Sequence, residues 1–182
     1  SEVEEVLKDI ERLIKELREE NKRSLDRSRR LAEDLERRNR ESLRRIEKLL
    51  RELEKIARDL RDKDELRRIL KELREEVERI SEEDERLAEE VLREHEKIND
   101  EDRKKLRALL DTVRKLIEDV IRTEEVRKRA EDVLRRLEEV IKELEKTNED
   151  AKRELKRLID ELRRTNEEVN KRLEERLDKI RE

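Results

Sequence analysis

The chain has 182 residues and contains no glycine, proline, cysteine, methionine, tryptophan, tyrosine or phenylalanine. Each absence excludes something. Without glycine no position enters a left-handed turn cheaply, and without proline no helix is broken by a missing N–H, so turns must be few. Strands lose most of their formers: Val, Ile and Thr remain, and no Asn-Gly or Asp-Gly pair exists to close a two-residue hairpin. Without cysteine there are no disulfides and no indication of a redox compartment. Apolar runs are short, as at Leu49 and Leu50, which leaves no membrane span and no secretory signal, so a soluble chain without a targeting signal is expected.

What remains is helix-forming: Leu, Glu, Arg and Lys dominate. Charged residues make up 60% and hydrophobic residues 31%. Scattered, so few apolar residues would mean disorder. They are instead spaced three and four apart, as in Val3, Val6, Leu7, Ile10, Leu13, Ile14 and Leu17, and again in Leu31, Leu35, Ile46, Leu49, Leu50, Leu53, Ile56 and Leu60. That spacing marks a coiled-coil-like seam. The 57 acidic and 53 basic residues nearly cancel at net −4 and interleave, which gives i,i+4 pairing on solvated faces and little field to steer nucleic acid or membrane.

Breaks in the stripe divide the chain. Ser1 and Glu4 have the spacing of a capping box. The stripe stops at Leu60 before Arg61, Asp62, Lys63 and Asp64, where Asp62 or Asp64 can cap a new helix, and again near Arg122 and Thr123, with Thr123 as N-cap and Glu124 and Glu125 in the first turn. The expected fold is all-α, an up-down-up bundle of three long coiled-coil-like helices over residues 2–61, 65–121 and 124–181, forming one bundle over 1–182. Five shorter helices are the alternative, because Ser81 to Asp84 resembles a capping box and Asn99 with Asp100 resembles a turn. The unbroken apolar phase from Leu66 through Val77, Leu106 and Val113 to Val120 favours one helix there. So does length: three segments of about 60, 57 and 58 residues would each span about 85–90 Å.

Polar residues interrupt the seam: Ser24, Ser28, Asn39 and Ser42 in the first helix, Ser81, Asp84, His95, Asn99 and Asp102 in the second, and Thr147, Asn148, Thr165 and Asn166 in the third, with Asn21 a weaker member. In antiparallel helices of equal rise, position i of the first helix faces about 126−i of the second, and position j of the third faces about 246−j. Ser24 and Ser28 then face Asp102 and Asn99, with His95 one turn away, near Thr147 and Asn148. Asn39 and Ser42 meet Ser81 and Asp84, with Thr165 and Asn166 one turn away. A buried polar atom left unpaired costs about 1–3 kcal/mol, so such layers persist as connected networks, and connected they fix register and penalise slipped pairings.

With its heptad-like stripes, Glu/Arg/Lys surface and grouped Ser, Asn, Thr and His core positions, the whole chain resembles de novo designed helical bundles with buried hydrogen-bond networks. The likeness is one of style, so no functional residues carry over from it. It implies a structural scaffold without natural biochemical activity, made recombinantly in a bacterial cytoplasm.

The residues themselves offer little chemistry. His95 is the one histidine, and with Asp84 and Asp102 it would be the start of a metal or acid–base site. Zinc, however, takes three or four clustered ligands, and Asp84 falls about 16 Å from His95 along a helix axis. A network role for His95 is expected, with pH sensitivity as a second role should protonation cost it those bonds. The Arg-rich stretch 27–45 interleaves Glu33, Asp34, Glu36 and Glu41 and has no ring for base stacking, so it reads as a solvated face. Serine nucleophiles lack a base apart from His95, and no glycine loop can build an oxyanion or phosphate cradle. The expectation is no catalytic residue, no cofactor, no metal, and neither nucleic acid nor membrane as partner. A self-contained monomer needs no partner. A half of a designed heteromer that binds a partner helix, or a homo-oligomer, would use the same stripes.

Overall fold

The Ser1 hydroxyl accepts the Glu4 N–H at 3.4 Å, and the Ser1 carbonyl accepts the Glu5 N–H at 3.2 Å. Helix α1 runs from there over Glu2–Ile56. The computed structural model describes residues 1–56 and 63–181 and adds α2 over Lys63–Lys115 and α3 over Glu124–Arg181. Each helix has acidic residues in its first turn (Glu2, Glu4 and Glu5; Asp64 and Glu65; Glu124 and Glu125), where the helix dipole favours them. Asp64 is therefore inside α2 and not its cap. Leu60, Arg61 and Asp62 lie outside the described residues, as do the side chains of Ile56, Leu177 and Ile180.

Helix α2 continues unbroken through Ser81, Asp84, Asn99 and Asp100, so the five-helix arrangement is not adopted. Its last turn, Leu116–Val120, widens to a π-helix closed by the Ile121 N–H on the Leu116 carbonyl at 2.8 Å. Ile121 is extended (φ −76°, ψ 120°). Thr123 stands at the N-cap position of α3 and accepts the Arg127 N–H at 3.1 Å on its carbonyl. No described residue has positive φ. The chain makes this turn without the backbone conformation that would call for glycine: the π turn ends the regular bonding and an ordinary extended residue redirects the chain.

The three helices form an up-down-up bundle. Helices α1 and α3 are parallel, with Arg18 on Glu143 and Arg172 on Glu47, each pair 125 positions apart. Helix α2 is antiparallel to α1, so Ser24 meets His95 and Asn39 meets Asp84.

The chain divides into two compact units. The first comprises Ser1–Arg29 with Leu92–Arg153, and the second Arg30–Val91 with Glu154–Glu182. Each unit contains a segment of every helix. The first has an apolar core that includes Ile14, Leu106, Val113, Val133 and Leu137, with Ile121 from the turn. The core of the second includes Leu43, Ile46, Leu70, Val77 and Leu173.

Burial reveals a repeat that links these cores to the sequence. Leu7, Leu25 and Leu43 are buried, as are Leu70, Ala88 and Leu106, and Leu137, Leu155 and Leu173. Members of each set stand 18 residues apart, which is five turns of about 3.6 residues. The stripe steps by threes and fours like a coiled coil, but it recurs with the period of an uncoiled α-helix; a strict heptad would drift about 20° per repeat.

Candidate functional site: two buried polar layers

The 18-residue repeat also relates the polar positions. Asn21 and Asn39 correspond, as do Ser24 and Ser42, Asp102 and Asp84, Asn99 and Ser81, and Asn148 and Asn166. Each unit therefore holds a frame of one asparagine from α1, one aspartate from α2 and one asparagine from α3.

In the first unit the layer is deep. Asn21, Ser24, Ser28, His95, Asn99, Asp102 and Asn148 are all buried, and His95 and Asn99 have no exposed surface. The Ser24 hydroxyl and His95 Nδ1 are 3.4 Å apart, and the Asn99 amide donates to the Leu144 carbonyl at 3.2 Å. Other polar atoms in the layer have no hydrogen-bond partner: Asn21 Nδ2, His95 Nε2, Asn99 Oδ1, Asp102 Oδ2 and Asn148 Oδ1. Burial pushes the Asp102 carboxyl up to about 6 from 3.8, and Glu20 pushes the same way, against the Asn21 amide and Lys105. That amide lies close enough to favour the charged form but outside full hydrogen-bond geometry. Burial lowers His95 from 6.5, aided by Arg29 and opposed by Glu96, and so favours the neutral ring.

The second unit is shallower and better connected. The Asn39 amide donates to Asp84 Oδ2, and to Asn166 Oδ1 at 3.4 Å. Asn39 and Asn166 are buried, while Ser42, Ser81 and Asp84 are half-buried. Burial raises Asp84 above 3.8 and Glu83 adds to it, while the Asn39 bond and Arg38 lower it. Asn166 Nδ2 and Asn170 Oδ1 lack partners.

Two threonines stand apart from the layers. Thr147 is half-buried and Thr165 exposed, and their hydroxyls return to their own helix, on the Glu143 carbonyl at 2.8 Å and the Glu161 carbonyl at 2.9 Å. A threonine in mid-helix satisfies itself this way without crossing to a neighbour. Asn170 was not expected at the second layer, although its place four residues after Asn166, on the same helix face, is a usable signal.

Among the described residues no group of three His, Cys, Asp or Glu side chains is arranged to hold a metal ion, and no helix is long and apolar enough to cross a membrane. Between the helices lie exposed ion pairs such as Arg74 with Glu174 at 2.8 Å and Arg176 with Glu54 at 2.8 Å. Pairs so exposed contribute about 0–1 kcal/mol each, so the layers and not the surface distinguish the two units.

No family model matches the chain, and no curated protein is similar to it. Among solved structures a computationally designed three-helix bundle is similar, with a TM-score of 0.68 and 19% identity over 99% of this chain and 92% of that one. At that identity the likeness shows the fold, a three-helix bundle.

Proposed function

We propose that this chain is an artificial structural scaffold, without enzymatic activity or cofactor, whose two buried polar layers set the register and pairing of its helices. The observation that carries the reading is the repeated frame: Asn21, Asp102 and Asn148 in one unit, Asn39, Asp84 and Asn166 in the other, one residue from each helix at an 18-residue interval. Asparagine is scarce here, with six in the chain, and five of them occupy buried layer positions. Slipping a helix by one turn would move these side chains against leucines and leave polar groups unpaired at about 1–3 kcal/mol each. Such a device selects one alignment, whether or not it adds net stability.

The test is the triple substitution Ser28→Leu, Asn99→Leu and Asn148→Leu. Helicity by circular dichroism should be retained, while amide NMR spectra should show more than one conformer or the solution mass should spread. A single conformer of unchanged mass would sink the register role.

A second reading, self-association or capture of a partner helix, is favoured by α1. Leu13, Leu31 and Leu49 are 42%, 45% and 47% exposed. They too stand 18 residues apart and so share one angular position on the helix. Light scattering over a concentration range separates the readings: a constant 22.5 kDa supports the self-contained chain, and a multiple supports association.

A further inference from the structure

The layer of the first unit buries a carboxylate that its counterpart leaves half-buried. Its unpaired acceptors are the amide oxygens of Asn99 and Asn148 and the Asp102 Oδ2. Unpaired donors are not short in number: the Asn21 amide, the Arg103 Nε–H and, with Ser24 satisfying Nδ1, the Nε2–H of a neutral His95. None of them bonds Asp102 Oδ2, which belongs to a carboxylate only 1% exposed, and the Glu20 carboxylate lies within hydrogen-bonding reach of that group. A hydrogen on Asp102 would remove a buried charge and place a donor between the two carboxylates in one step. A hydrogen on His95 would add a donor but create a second buried charge.

We propose that the polar layer of the first unit is a proton-binding site, in which Asp102 takes up a proton from mildly acidic water while His95 stays neutral, and the new carboxyl O–H donates to the Glu20 carboxylate. The proposed order inverts the usual one, in which a histidine charges about 2.5 pH units above the point where an aspartate neutralises. The surroundings act in the same sense. From α1, Glu20 repels the Asp102 charge while the Asn21 amide favours it; within α2, Lys105 favours the charge, and burial of His95 favours its neutral ring. From α3, Glu145 pairs with Arg103, the residue beside Asp102, and with Arg107. The second unit has no such need, because Asn39 supplies Asp84 with a donor and Asp84 keeps contact with water.

The linkage has a definite sign. Asp102 binds its proton more tightly in the folded chain than in the unfolded one, so its contribution to stability grows as pH falls from about 7 towards 4. His95 works in the opposite direction below about 6.5, because the unfolded chain charges its histidine first. The Asp102 contribution must therefore be isolated as a difference.

The experiment is a pH titration of the full chain by NMR, following the aspartate carboxyl carbons and the single imidazole, with Asp102→Asn to isolate one carboxyl. The expected result is an Asp102 carboxyl that titrates near pH 6, with the imidazole still neutral at that midpoint. The folding constant of the unsubstituted chain, relative to Asp102→Asn, should rise about tenfold between pH 7 and pH 5. Titration of Asp102 alongside the surface carboxylates near pH 4, or protonation of His95 first, would overturn the proposal. If Asp102→Asn does not fold, the titration of the unsubstituted chain decides alone, through its assigned Asp102 resonance.

Discussion

The two units are built on one frame and differ at four places around it. Where the first has His95, Ser28, Asn99 and Lys152, the second has Val77, Ile46, Ser81 and Asn170 at the positions 18 residues away. The first layer thus carries more polar groups and buries them more deeply, yet more of its atoms lack partners. In the second, one amide reaches both Asp84 and Asn166, and the half-buried groups keep contact with water. The difference teaches that a layer is made good by donors placed on acceptors and by access to water, not by the number of polar residues in it.

The comparison breaks most readily at the shared asparagine. Asn39→Leu should cost about 2–3 kcal/mol in urea denaturation, since it leaves a half-buried carboxylate and a buried amide oxygen without their donor. Asn21→Leu, the same change in the first unit, should cost under about 1 kcal/mol, because that amide makes no full bond. Equal losses would remove the distinction between the layers.

A smaller effect, of opposite sign, is expected at the histidine. His95→Val installs the residue found 18 positions earlier, and Val77 is fully buried without a polar atom to satisfy. Stability at pH 7.5 should rise by about 1 kcal/mol, the relief of an unpaired ring nitrogen less the lost Ser24 contact. Because burial holds His95 below its usual range, the advantage should widen as pH falls below 6.5, where the unfolded wild-type chain gains a proton that the folded chain resists. Denaturation midpoints at pH 7.5 and 5.5 check this, and an advantage that shrinks in acid would count against a neutral buried ring.

The smallest effects belong to the surface. Arg18→Ala in the first unit and Arg172→Ala in the second each remove a pair between α1 and α3, with Glu143 and Glu47 respectively. Each should change stability by under about 0.5 kcal/mol, and by less in 1 M salt. A larger loss in one unit would locate the difference between the units in charge rather than in the layers.

The sequence made the helices legible because apolar spacing, caps and the missing helix breakers all point the same way. The pairing of α1 with α2 was legible to within two turns: Asn39 meets Asp84 close to the level that equal-rise geometry gives, and Ser24 meets His95 further from it. The offset differs between the two levels, and no periodicity encodes how far two packed helices slide along each other. The end of α2 was obscured for a related reason, since the π turn at Leu116–Val120 preserves an apolar pattern while changing the backbone bonding. At the layers, residue type alone could not separate Thr165 from Asn166. They are neighbours in sequence, but a hydroxyl reaches its own helix carbonyl, whereas an amide is too long and too polar on both sides to be satisfied there. Nor does composition reveal whether a buried network is balanced, which depends on distances of a few tenths of an ångström.

The 18-residue interval has one more consequence. Five whole turns return every side chain to its original bearing, so the chain is written in interchangeable blocks. Residues 11–28 and 29–46 of α1 are two such blocks with different layer content, as are 85–102 and 67–84 of α2. Inserting one block into each helix would add a level without rotating the faces already matched, and the new level could carry either kind of layer or none. Length and pairing code are thus separate adjustable quantities, as in a lock whose number of pins is chosen independently of the cut of each.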